Sequence, residues 1–167
     1  MLEFIVGFFL IGFAGILQSA VLSRLPLING MADLLMLLIV GWSIQPYVKY
    51  PWIWVFIASF VSTLISSMTI GVTPLSYGLV FIFALFLRQR FWKARLLTMV
   101  ALSLIGTILV HVVSFIAIVF QGNLFSLSDA FYLVTLPSML LNLVFAIPVY
   151  AITREFVKWI YPEKIEV

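Results

Sequence analysis

Arg88-Gln89-Arg90-Phe91-Trp92-Lys93-Ala94-Arg95 holds four of the chain's nine Lys and Arg residues in one short stretch. Residues 75–87 before it and 96–120 after it contain no Asp, Glu, Lys or Arg. A basic segment between two apolar runs reads as a cytoplasmic loop, and that bias sets the direction of the helices on either side. The other reading, a solvated basic face on a soluble protein, fails on composition. Of the 167 residues, 65% are hydrophobic and 9% charged, whereas soluble domains carry roughly a quarter charged residues. With a mean hydropathy of +1.26, the chain has too little polar surface for water, and lipid is its expected solvent.

Composition also excludes chemistry. The sequence has no cysteine, which removes disulfides, thiolate metal sites and cysteine nucleophiles. The net charge of +3 is concentrated in short segments, a pattern suited to anionic headgroups and not to nucleic acid. Met1-Leu2-Glu3-Phe4 lacks a basic n-region, and the apolar run behind it is too long for a signal-peptide core. It reads as a retained helix.

Working outward from the basic stretch, apolar runs predict six spans in one polytopic domain, over residues 4–23, 31–45, 52–68, 75–87, 96–120 and 137–160. The second and fourth are short for a ~30 Å hydrocarbon core. The turn between the third and fourth is expected to run through Gly71 and Pro74, and residues 130–136 to lie at the interface. Tyr47, Tyr50, Trp52 and Trp54 read as an interfacial aromatic belt. With a cytoplasmic N-terminus, Lys49, Arg88, Arg90, Lys93, Arg95, Arg154, Lys158 and Lys164 fall inside and Arg24 alone outside. Both termini are therefore expected in the cytoplasm.

Two groups of small and polar residues stand out. Gly12, Gly15, Ser19 and Ser23 lie near helical spacing and lead into Arg24 and Pro26. They offer a close-approach face, either for packing inside the bundle or for docking a partner helix. Ser103, Thr107, His111 and Ser114 share one face of the fifth span, and Ser59, Ser62, Ser66 and Asn142 are candidates to meet that stripe. Asp33 suits the positive end of a helix dipole or a pairing with Arg24. No catalytic or cofactor motif is present, and one histidine without cysteine or a buried carboxylate does not predict a metal site. Asp33 and Asp129 are placed near span ends, so no buried charge is expected. What remains is an interaction scaffold, or a bundle binding a small solute through groups such as Gln18, Asn142 and the Trp residues.

Leu17-Gln18-Ser19, Arg24-Leu25-Pro26-Leu27 and Gly30-x-Ala32-Asp33-Leu34-Leu35 resemble the first hairpin of the MreD family of bacterial rod-shape-determining membrane proteins. Gly71-x-x-Pro74-Leu75 is similar to that family's turn between the third and fourth spans. Leu136-Pro137-x-x-Leu140-Leu141-Asn142-x-x-x-Ala146-x-Pro148-x-Tyr150 is similar to its last helix. One departure is Ser66-Ser67-Met68-Thr69, where many members carry an acidic residue. The resemblance implies an all-α six-helix membrane bundle like the S component of energy-coupling-factor transporters. It further implies a non-enzymatic scaffold of the cell-elongation complex. The implied partners are the single-pass protein MreC, then RodA, a class B penicillin-binding protein and MreB, with a second copy of the chain a further candidate. The S-component likeness also supplies the alternative, a vitamin-type binding subunit of a transporter.

Overall fold

The computed structural model describes residues 2–20, 30–66, 68, 70–91, 94–123 and 126–162. Their regular structure is all helical: α1 Leu2–Ala20, α2 Leu34–Ser43, α3 Pro51–Ile65, α4 Val72–Arg90, α5 Arg95–Phe120, α6 Leu127–Ala130 and α7 Leu136–Ile160. The four-residue α6 runs into α7 through a π-helical turn, Phe131–Thr135. Glu3–Ala20, Val72–Arg90, Arg95–Phe120 and Leu127–Ile160 are each long and apolar enough to cross a membrane. The chain is an all-α membrane protein.

The organising element is α2. All ten of its residues, Leu-Leu-Met-Leu-Leu-Ile-Val-Gly-Trp-Ser, are buried. A helix apolar all round belongs inside other protein, and α2 touches α1, α3, α4, α5 and α7. Those five form an arc in which α1 packs on α3, α3 on α4, α4 on α5 and α5 on α7. The Tyr161 hydroxyl, just past α7, donates to Glu3 Oε2 and ties the arc's two ends together. Gly41 lets α7 approach closely, since a Cβ there would meet Thr153 Oγ1 at 2.9 Å.

At 1.5 Å per residue α2 is about 15 Å long, half of a ~30 Å hydrocarbon core. The second span expected over residues 31–45 is thus a half-span, enclosed so fully that it need not match the bilayer. Its N-terminal end is level with Thr107, in the middle of the 26-residue α5, through the link Asp33–Asn142–Thr107. Asp33 is the N-cap of α2, as expected, and is half-buried beside Gln18 near the end of α1, Ser62 near the end of α3 and Tyr77 near the start of α4.

Other expectations shift as well. α4 begins earlier than residue 75: Gly71 turns the chain with φ of 108° and Pro74 sits in the helix's first turn. That turn has no intrahelical use for an N–H, so proline costs little there. Residues 130–136 continue the last helix instead of lying at the interface. Arg88 and Arg90 belong to the last turn of α4 and Arg95 opens α5, so the basic loop is shorter than its sequence suggests. Cations favour a helix C-terminus, which explains the extra turn. Lys93 lies outside the described residues. Trp54 leaves the expected aromatic belt: it is buried and stacks on Trp42 with ring centroids 3.7 Å apart. Trp52 and Tyr50 remain exposed.

Candidate functional site

The N-terminus of a helix presents backbone N–H groups without intrahelical partners. In the middle of a bilayer no bulk water answers them, so side chains must. Asp33 caps α2, its Oδ1 accepting from Met36 N at 3.0 Å. The same oxygen accepts the Tyr77 hydroxyl proton at 2.7 Å. Tyr77 has one proton, so the Ser62 hydroxyl, 3.3 Å away, is left to donate to the phenol oxygen. Gln18 Oε1 accepts from Leu35 N at 3.3 Å, and the Gln18 amide also reaches the Asp33 carboxylate.

The extended residues 30–33 leading into α2 are answered from α7. Ser138 Oγ accepts from Met31 N at 3.0 Å, and Asn142 Oδ1 accepts from Asp33 N at 2.7 Å. Asn142 Nδ2 donates to Thr107 Oγ1 at 2.8 Å, and Thr107 passes its own proton to Ser103 O at 2.6 Å. Non-helical backbone at membrane depth persists only where protein or an aqueous cavity satisfies it. Both conditions are present here.

The cavity is about 530 Å³ and opens beside this knot, at the end of the bundle opposite Arg88 and Arg95. Gln18, Asp33, Ser62, Ser66, Ser76 and Tyr77 supply one polar side, and His111, Ser114 and Ser138 the other. No Lys or Arg lines it among the described residues. His111 Nδ1 lies 3.0 Å from Thr135 Oγ1, at the last position of the π-helical turn. π-helical turns often mark functional sites, because the wider turn re-aims side chains and frees a carbonyl. Here Thr135 Oγ1 covers Ala130 O at 3.5 Å. The pocket's volume falls in the range of small-molecule sites, roughly 300–1,000 Å³. Its chemistry suits a neutral or amine-bearing solute rich in hydroxyls or amides.

The polar stripe of α5 divides. Ser103 and Thr107 are fully buried and bond the carbonyls of Val100 and Ser103. His111 and Ser114 are half-buried at the cavity. Asn142 meets the stripe at Thr107. Of the α3 hydroxyls, Ser62 meets Tyr77, Ser66 Oγ accepts from Met68 N, and Ser59 Oγ is buried without a partner.

The small-residue face of α1 also divides. A Cβ on Gly15 would sit 2.8 Å from Val61 Cγ1, so Gly15 serves the contact with α3. Gly12 has open space beside it, and Ser19 is exposed at the cavity rim. Ser23, Arg24 and Pro26 lie outside the described residues.

Sequence reasoning missed two participants. Tyr77 carried a signal: a phenol within an apolar span requires a hydrogen-bond partner. Glu3 is buried, accepting from Trp42 Nε1 at 3.3 Å and from Tyr161. Burial and the Glu3 carboxylate push the Tyr161 phenol above its usual range, so it stays a neutral donor. With Glu3 buried and Asp33 half-buried in a hydrogen-bonded cluster, the expectation of no buried charge is overturned. Among the described residues, no three His, Asp or Glu side chains come together to hold a metal.

Neither a protein-family model, nor a curated protein, nor a solved structure matches this chain.

Proposed function

We propose that this chain is a non-enzymatic membrane scaffold of a bacterial cell-elongation complex, of the MreD type. It docks a single-pass partner resembling MreC and helps couple an MreB filament to RodA and a class B penicillin-binding protein. In the same reading the protein crosses the cytoplasmic membrane with both termini inside. The observation that supports it is the meeting of the separate stretches that resemble the family. Gln18 of the first stretch bonds Leu35 of the second, and Asp33 of the second bonds Asn142 of the last. Pro137 and Ser138 pack so closely on Gly30 that no Cβ fits there. These residues serve one knot at the N-terminal end of α2, so they are coupled by the fold.

The half-span α2 and its cavity favour a second reading, a subunit that binds a small solute. Broken helices that end beside a cavity near the bilayer midplane are a feature of solute-binding membrane proteins. Purification from the native membrane separates the two. A co-purifying single-pass partner in fixed ratio supports the scaffold. A stoichiometric small molecule, identified by mass spectrometry, replaces it with the solute-binding reading.

The docking face is tested by contrast within α1. Gly15→Leu forces Val61 aside and is expected to cost about 1–3 kcal/mol by overpacking. Gly12→Leu enters open space and leaves thermal stability unchanged. If Gly12→Leu abolishes pull-down of the single-pass partner while staying monodisperse, α1 is the interface. Retained binding moves the interface to another helix.

A further inference from the structure

At the end of the bundle opposite the cavity, a second and smaller pocket of about 100 Å³ lies between α2, α4 and α5. It is lined by Ile44, Pro46, Arg88, Phe91, Arg95 and Thr98. Arg88 and Arg95 line one space, and among the described residues no acidic residue lines it. Among the described residues the ion pairs are those of Glu155 with Arg154 and Lys158, on α7. Arg88 is held in place: Nη1 donates to Ser43 O at 3.2 Å and Nη2 to Pro46 O at 3.1 Å. A guanidinium has five N–H donors, so these two bonds fix the group and leave others to spare. Arg95 is the first residue of α5, whose N-cap, Ala94, supplies no side-chain cap. Arg95 thus also stands at the positive dipole end of that 26-residue helix.

We propose that this pocket binds the phosphate of an anionic phospholipid headgroup, with Arg88 and Arg95 as its two cationic walls. The pocket has the size of a phosphoryl group and its few waters, at about 30 Å³ per water. Its rim points to lipid as the source of the phosphate. Phe91 lines the pocket and is exposed, and Leu96 and Leu97, next to Arg95 in the first turn of the apolar α5, are exposed too. They offer acyl chains a surface that a dissolved phosphate has no use for. Basic pockets between helices at the headgroup level recognise such lipids. The site is separate from the cavity and independent of which partner the scaffold carries.

The test uses the whole protein in neutral detergent, with phosphatidylglycerol and phosphatidylcholine as competing probes and native mass spectrometry as readout. The wild type is expected to retain phosphatidylglycerol in preference. Arg95→Gln should lower that retention about fivefold, the worth of one interfacial Arg. Arg90→Gln removes the same charge from an exposed position outside the pocket and should change retention less than about twofold. Equal retention of the two lipids by the wild type overturns the proposal, whatever the variants do. Equal losses in Arg90→Gln and Arg95→Gln overturn it too, because the attraction is then diffuse. If millimolar inorganic phosphate displaces the lipid from the wild type, the pocket reads bare phosphate and the lipid assignment is withdrawn.

Discussion

The two ends of α2 solve one problem in different ways. At the N-terminal end Asp33, Gln18, Tyr77, Ser138 and Asn142 answer the backbone, and none of their buried polar atoms lacks a partner. At the C-terminal end one side chain, Arg88, covers two carbonyls, while Ser43 Oγ and Gln45 Nε2 are buried without partners. The sign of each cap follows the helix dipole, a carboxylate at the positive end and a guanidinium at the negative end. The difference in completeness follows depth and chemistry. At the N-terminal end the orphans are N–H groups, and side chains from α1 and α7 answer them directly. Carbonyls have two lone pairs and tolerate incomplete pairing better, and the Arg88 end lies at the polar rim.

If that contrast is right, mutations at the two ends should differ in cost. Asp33→Ala removes the acceptor for Met36 N and for Tyr77 at once. It should cost about 3 kcal/mol, or prevent accumulation of folded protein. Asp33→Asn keeps an oxygen in place and should recover most of the loss, read as the midpoint of thermal unfolding in detergent. Equal damage from both would mean that the charge, and not the capping geometry, holds the knot.

Arg88→Gln is expected to cost less, about 1–2 kcal/mol, because the freed carbonyls are near enough to the rim for water to replace the guanidinium. A larger loss than that of Asp33→Ala would invert the comparison. His111→Leu removes one hydrogen bond, with Thr135, and should cost about 0.6 kcal/mol, the average for helix–helix hydrogen bonds in membranes. The smallest effect is expected at Ser43→Ala, which deletes an unpaired hydroxyl. Stability should hold or rise by up to about 1 kcal/mol, and a clear loss would reveal a partner for that hydroxyl.

Much of this architecture is legible along the chain. The basic stretch at residues 88–95 separates two apolar helices because charge cannot follow them into lipid. The short run from Leu34 to Ser43 reads as a short second span, and its enclosure by five other helices appears only in the structure. Pro51 and Gly71 mark the turns before α3 and α4, although α4 starts three residues ahead of the expected 75. Ser103, Thr107, His111 and Ser114 share a face by period, and Asn142 was an expected partner of that face. Those readings depend on neighbours in sequence, and local physics suffices for them.

Depth and pairing do not. Asp33 reads from sequence as a helix cap, but its bonds to Tyr77 and to Asn142 appear only in the fold. The aromatic belt loses Trp54 because Trp42 on another helix offers it a stacking surface. Tyr77, Glu3 and Gln18 become parts of networks only when residues distant in sequence come within hydrogen-bond reach. By itself the sequence determined that lipid is the solvent, which segments are helical and roughly where they begin. Only the tertiary structure decided which polar groups lie at mid-depth and which of them meet. The reason is physical: hydropathy is a sum over neighbours along the chain, whereas a hydrogen bond between Asp33 and Asn142 depends on where two remote segments stop.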